Sequence, residues 1–442
     1  MSPSLRWMRL LAGILCVALA GTALAAPKIQ HWVADNGLRV YFISTPELPI
    51  LDINVVIDAG SARDAELPGL ARLTAAILDE GAAGLDADAI ARRFENVGAE
   101  FSASIDRDMA SVSLRTLSDP RYRDTALDTF EAVLTRPDFP ERDFDRLKKQ
   151  LVVAIRNREQ KPGKVASKAF YQALYGDHPF ARPPIGTRES VAKISRDDVR
   201  DFYRRYYVTG NTLLAMVGDI DRAQAESIAA RIDRELAKGK AAAPLPPVKP
   251  LTESTTVTIP FPSEQAHVLI GQPGIRRGDP DYFPLYVGNH VLGGSGFTSR
   301  LVKEVRENRG LSYSVYSYFL PKKVSGPFQL GLQTRVDQVG AAEALARQTL
   351  EDFIVEGPTE KELVDSKKNI TGGFPMSIDS NADLVGYIAT IGFYGLPLDY
   401  MDTLPDKVNA VTRDDVLSAF KRRLDVENMV TVIVGGEAAS PE

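Results

Sequence analysis

Cysteine is almost missing from this chain: its 442 residues contain one, Cys16. Histidine is nearly as scarce, with His31, His178, His267 and His290 alone. A single thiol excludes a disulfide framework and a cysteine-built metal site. No two histidines stand one helical turn apart, as paired ligands on a helix would. Four scattered histidines give no Ser/His/Asp order, and Cys16 lies in an N-terminal apolar stretch, so neither triad-type nor thiol catalysis is supported. Outside that stretch, no apolar run approaches the roughly 20 residues that span a bilayer. The formal charge of −5 argues against a nucleic-acid partner.

What is present begins with an export signal. Arg6 and Arg9 are followed by the apolar segment from Leu10 to Ala20 and by Ala23-Leu24-Ala25, a small-residue cleavage site. Removal of residues 1–25 takes away two positive charges and moves the net charge to −7. The expected location is the periplasm of a Gram-negative cell, or secretion from it, with no membrane anchor once the signal is gone. A cysteine-free exported protein relies on its core, and a chain of this length has room for two domains.

The chain also repeats itself. Residues 194–220 (ISRDDVRDFYRRYYVTGNTLLAMVGDI) align without gaps on 411–437 (VTRDDVLSAFKRRLDVENMVTVIVGGE) at a shift of 217, with eight identities. Each copy reads as a Ser or Thr N-cap, an amphipathic helix and an apolar strand ending in glycine. A tandem duplication follows, with halves at 26–237 and 251–442 and a proline-rich linker at 238–250 (KGKAAAPLPPVKP). In the first half, Asn36-Gly37 predicts a hairpin, and Asp52–Gly60, Glu100–Ile105 and Met109–Leu117 predict strands. Helices are expected near Pro68–Leu78, Asp86–Val97, Arg121–Leu134, Glu141–Gln160 and Lys164–Tyr175. Strands clustered ahead of runs of helices indicate an α+β fold. Gly372-Gly373-Phe374-Pro375 and Gly392–Pro397 read as turns, and the Tyr203–Tyr207 cluster as helix packing.

One stretch points to function: LGGSGFTSRLVKEVRENRGLSYSVYSYF, from Leu292 to Phe319. Its glycine cluster (Gly293, Gly294, Ser295, Gly296) reads as opening an amphipathic helix that carries Arg306 and stops at Gly310. A strand is expected to begin with Tyr313. A phosphate-binding loop would need a following Lys-Ser/Thr, which Phe297-Thr298-Ser299 does not supply. The pattern resembles the C-terminal-half signature of the pitrilysin/insulinase-type zinc metallopeptidases, which include the mitochondrial processing peptidases. The resemblance extends over nearly the whole chain after the signal. It implies two similar α/β-sandwich halves facing each other like a clamshell.

It also implies a metal motif, H-x-x-E-H, on the helix after the first core strand. At that point this chain reads PGLARLTAAIL. Arg72 stands at the first histidine, Ala75 at the glutamate and Ala76 at the second histidine. Arginine repels a dication and alanine has no ligand atom. The family's third ligand falls near Val153–Ala154, again without a ligand; Glu159 is the nearest carboxylate. No metal is expected in this chain, and zinc is expected in a partner. In zinc-free subunits of the family, an Arg and a Tyr at the spacing of Arg306 and Tyr313 reach into a partner's active site, and a glycine-rich loop ahead of Ser-Arg-Leu (here Ser299-Arg300-Leu301) handles substrate. The resemblance therefore implies a noncatalytic subunit of a periplasmic peptide-cleaving complex, paired with a homologous zinc-bearing subunit. A nonenzymatic scaffold or peptide-binding protein of the same fold is the alternative.

Overall fold

The computed structural model describes residues 28–436; the export signal lies outside the described residues. In the first half the strands are β1 (Gln30–Val33), β2 (Arg39–Ser44), β3 (Ile50–Ile57), a small ribbon of β4 (Gly81–Ala82) and β5 (Leu85–Asp86), β6 (Glu100–Ile105), β7 (Ala110–Leu117) and β8 (Thr212–Gly218). Its helices are α1 (Leu70–Ala76), α2 (Ala87–Glu95), α3 (Pro120–Thr135), α4 (Glu141–Glu159), α5 (Pro162–Tyr175), α6 (Arg188–Lys193), α7 (Arg196–Tyr206) and α8 (Arg222–Glu235). The second half holds β9 (Thr255–Ile259), β10 (Gln265–Pro273), β11 (Ser314–Phe319), β12 (Pro327–Arg335) and β13 (Val430–Val434). Its helices are α9 (Tyr282–Asn289), α10 (Val302–Asn308, wound in π turns), α11 (Val339–Glu356), α12 (Glu360–Gly373), α13 (Asn381–Tyr394), α14 (Tyr400–Ala410) and α15 (Arg413–Arg423).

The two sheets have one topology. The first runs β1-β2-β8-β3-β7-β6 and the second β9-β13-β10-β12-β11. In each, a parallel pair (β2 with β8, β9 with β13) meets an otherwise antiparallel sheet. Only β1 is extra. The repeat at a shift of 217 maps α7 and β8 onto α15 and β13. Both helices open with a full capping box, Ser195 with Asp198 and Thr412 with Asp415. Both strands end in a glycine of positive φ, Gly218 at +155° and Gly435 at +152°. A β-carbon at either position would run into the neighbouring strand.

Burial at every position of β8 explains why it is apolar from Leu213 to Val217. Leu214 and Met216 face the helices of their own half, together with Ile53 and Val55 of β3. Leu213, Ala215 and Val217 face the other way, into a core that includes Ile388 and Ile391 of α13. The reverse also holds: α5 of the first half lies over β10 and β13, with Phe170 and Leu174 among Leu269, Val430 and Val432. Each half thus lends one helix to cover the other's sheet. Gly271 of β10 makes room for the Phe170 ring, and Gly392 of α13 makes room for the Tyr41 ring of β2.

A polar seam accompanies this exchange. The Asp58 carboxylate receives both Arg63 (2.9 and 2.8 Å) and Lys323 from the second half. Lys322 pairs with Asp106. The Asp108 Oδ2 accepts from the Lys323 backbone N–H (2.9 Å) and the Tyr394 hydroxyl (2.8 Å). Between the halves, residues 238–250 have no regular structure, and Ala243 and Pro246 are tied to Arg63 and His178 by hydrogen bonds.

Three local expectations need correction. Gly293 and Gly294 do not open a helix: α9 continues in wide π turns from His290 to Gly294, so they close it. Gly372 and Gly373 lie in the last turn of α12, and Gly392 lies inside α13. At Gly293 and Gly392 tertiary packing overrides the helix-breaking tendency of glycine, whereas Gly372 and Gly373 face open space at the end of their helix. Tyr203 and Tyr207 stack on one another at 4.9 Å within the first-half core.

Candidate functional site

Helix α1 is held at its start by Asp64. The carboxylate accepts the backbone N–H of Gly69 (2.8 Å) and of Ala71 (2.7 Å), donors that a helix terminus otherwise leaves unmet. Burial pushes the Asp64 carboxyl up to about 7, against those two bonds. Arg72 projects from α1 into solvent, Ala75 is 1% exposed and Ala76 is half-buried. On α4, Val153 is exposed and Ala154 half-buried, while Glu159 pairs with Arg188 at 3.4 Å. These residues do not fit zinc. Neither alanine has a donor atom, Arg72 is cationic, and the described residues contain no group of three or more His, Cys, Asp or Glu placed to hold a metal.

In place of a metal centre there is a cleft of about 480 Å³, lined by Arg72, by Arg158 and Glu159 of α4, and by Lys164 and Lys168 of α5. Arg107, from the β6–β7 turn, closes one side. Its Nε donates to the Phe180 carbonyl at 2.9 Å and its guanidinium lies 3.5 Å from the centre of the Tyr171 ring.

Three of the four histidines have local hydrogen-bond partners. His31 bonds the Val40 carbonyl, and His178 accepts the Phe180 N–H. His290 lies between Ser366 (2.9 Å) and Asn369 (3.0 Å). That order resembles a nucleophile, base and orienting group, but Ser366 is 3% exposed and its hydroxyl is also within reach of the Val287 carbonyl.

Arg306 and Tyr313 come together. The Arg306 guanidinium is 5.3 Å from the Tyr313 ring centre and 5.0 Å from that of Phe297, so it sits between two aromatic faces. Tyr313 is 77% exposed and Phe297 70%. The backbone beneath is fixed. The Tyr313 N–H donates to the Gln333 carbonyl (3.2 Å), and the Ser312 hydroxyl reaches the same oxygen (2.8 Å). Gly293 lets the end of α9 press against β11, since a β-carbon there would stand 2.5 Å from the Ser317 nitrogen. Asn289 and Ser317 close that contact with two hydrogen bonds, at 2.9 and 2.7 Å. Gly296 has φ +62°, and the Thr298 hydroxyl donates to that of Ser295 at 2.9 Å. Arg300 is held by Glu362 at 2.8 and 2.6 Å, an anchor for the helix.

Two family models match in tandem. Residues 39–188 match "Insulinase (Peptidase family M16)" and residues 193–370 match "Peptidase M16 inactive domain". A crystal structure of a peptidase M16 inactive domain from Pseudomonas fluorescens is 39% identical, superposes with a TM-score of 0.90, and is matched over 93% of this chain and 99% of that one. The chain belongs to peptidase family M16. Among other M16 relatives, "Uncharacterized zinc protease YmxG" of Bacillus subtilis is 26% identical over 93% of this chain and all of that protein. "Non-peptidase homolog YmxG" of Helicobacter pylori is also 26% identical, over 86% of this chain and 87% of its own length. The homology thus includes M16 proteins described as inactive, in keeping with an M16 chain whose α1 offers no ligands.

Sequence reasoning singled out Arg306, Tyr313, Arg72, Ala75 and Ala76. It missed Phe297, the second aromatic against Arg306, and the basic residues around Arg72. Lys164 and Lys168, one helical turn apart, were the available sign of the second.

Proposed function

We propose that this chain is the noncatalytic, substrate-binding subunit of an exported, periplasmic M16 peptidase complex. Its partner is a homologous subunit with the intact H-x-x-E-H motif, which holds the zinc. This chain supplies Arg306 and Tyr313 to the partner's site and one wall of a peptide chamber. The observation that carries the reading is the half-buried Arg306 set against the exposed Tyr313 on a fixed backbone, in a chain whose metal helix has no ligands. A tyrosine hydroxyl can donate to a developing oxyanion, and a guanidinium can hold peptide carbonyls. Burial in an interface would give both donors the low-dielectric setting in which such bonds count most.

The test is co-purification with a zinc-motif homologue, followed by peptide turnover. Arg306→Ala and Tyr313→Phe should each slow the reconstituted complex about 10²–10³-fold, or roughly 3–4 kcal/mol. Melting temperature and pairing should be preserved, because both side chains are free of the core. Unchanged turnover in both variants would leave the chain a scaffold or peptide-binding protein of the M16 fold.

A further inference from the structure

The cleft beside α1 carries charge of one sign. Arg72, Arg107, Arg158, Lys164 and Lys168 line it, against the single carboxylate of Glu159. Glu159 is engaged by Arg188, outside this set. Among the described residues none of the five cations forms an ion pair, although this chain has a net negative charge and pairs many of its other arginines. Like charges gathered around one concavity repel each other, so their placement costs stability unless an anion enters.

Arg107 makes the point most sharply. It is partly buried, burial pulls its pKa down, and only its Nε has a protein acceptor. Its terminal nitrogens have no acceptor among the described residues, so the donors best suited to grip a carboxylate in a fork remain free. Helix α5 adds to the field. Its first turn lines the cleft through Lys164 and Val165, which brings the positive end of the helix dipole to the rim. The remaining wall is apolar, with Ile105, Ile155 and Ile185. A cleft of about 480 Å³ with an apolar wall and a cationic rim suits one or two side chains with their backbone. A nucleic acid would call for an extended basic surface on a chain of positive charge.

We infer that this cleft, at the position of the lost metal site, is a binding site for an acidic peptide segment, whose Asp or Glu carboxylate is received by Arg107 and by the ring of Arg72, Arg158, Lys164 and Lys168. That the anion belongs to a peptide rests on the subunit reading above. The chain would thus hold an acidic stretch of the substrate in its own former catalytic half, while Arg306 and Tyr313 serve the partner.

The test needs no partner and no cleavage. Fluorescein-labelled peptides of equal length, rich in Glu, Gln or Lys, are titrated with the purified chain and followed by anisotropy. The Glu peptide should bind at least about tenfold more tightly than the Gln peptide, with affinity falling as salt rises. The exposed double variant Arg158→Glu/Lys168→Glu should erase that preference with an unchanged melting temperature. Arg107→Lys, which keeps the charge but loses the fork, should weaken it several-fold. Equal binding of Glu and Gln peptides, an undiminished preference in the double variant, or tighter binding of a single-stranded oligonucleotide than of the Glu peptide would overturn the inference. If the complex cleaves peptides without this selectivity, only the acidic-site inference fails. Selective binding by a chain that never assembles with a zinc-bearing homologue would instead retire the subunit reading.

Discussion

In the first half, β3 and β6 are joined by α1 and α2; in the second, the corresponding β10 and β11 are joined by α9 and α10. The sheets that bracket these connections share strand order and direction. The connections share neither sequence nor role. One presents a basic cleft of about 480 Å³ around Arg72. The other runs on through Gly294 to Arg306, half-buried, and the exposed Tyr313 beside it. A second cleft, of about 730 Å³, lies beside α9 and α12 at the place matching the first, and Tyr282, Tyr286, Tyr387 and Tyr400 line it. Strands buried on both faces tolerate little change, because each residue serves one of two cores. Helix surfaces between them answer to fewer constraints, and the halves diverged there.

The sharpest way to break the comparison is through the exchanged helices. Phe170→Ala empties a fully buried site between α5 of one half and β10 of the other. The expected cost is about 3–5 kcal/mol. Both sheets should still unfold in one transition, seen as coincident urea curves by circular dichroism and by tryptophan emission from Trp32. Two separated transitions would mean the halves are independent.

The acids at the helix starts give opposite signs. The Asp64 carboxyl has its pKa raised to about 7 in the fold, so its favourable contribution is complete below about 4 and is lost as pH rises through 7. The slope reaches at most about 1.4 kcal/mol per pH unit in that window. Asp281, at the start of α9, is bound by Arg422 and Arg423, which hold its carboxyl below the usual range. Its contribution is present above about 4 and is lost on acidification. Urea stability measured from pH 3 to 8 should therefore show Asp64→Asn removing a decline toward neutral pH. Asp281→Asn should remove a decline toward acid pH. The same sign for both variants would defeat this account.

The smallest effect tests what the halves kept. Ser195→Ala and Thr412→Ala remove equivalent caps from α7 and α15. Each should cost about 1 kcal/mol in urea denaturation, and the two should agree within about 0.5 kcal/mol. A large inequality would show that one copy of the repeat has become dispensable.

Much of this was legible in the residues because it is local. Caps, strand periodicity, the shift of 217 and the missing ligands at Arg72, Ala75 and Ala76 all lie within short windows. The pairing of Arg306 with Tyr313 was legible through the resemblance to the zinc-peptidase family, whose spacing the two residues share; the turn at Gly310 then brings them together. The exchange of helices was not readable. The apolar stripe of α5 says that Phe170 and Leu174 are buried, not which sheet buries them. The basic cleft was equally hidden, since Arg72, Arg107, Arg158 and Lys168 converge from four separate elements. The misplaced glycine Gly293 shows the same limit: β11 lies too close to its helix for any side chain.

The covering of each sheet by the other half's helix also bears on ancestry. A single half, before duplication, would have exposed one apolar face of its sheet along with a helix bearing an unpaired apolar stripe. Two copies exchanging those helices would have solved both problems at once, as a swapped homodimer. Fusion of two such copies would make the exchange intramolecular, with a high effective concentration of each half for the other. Cutting the chain within 238–250 should therefore leave two fragments that remain associated, like the subunits of that ancestor.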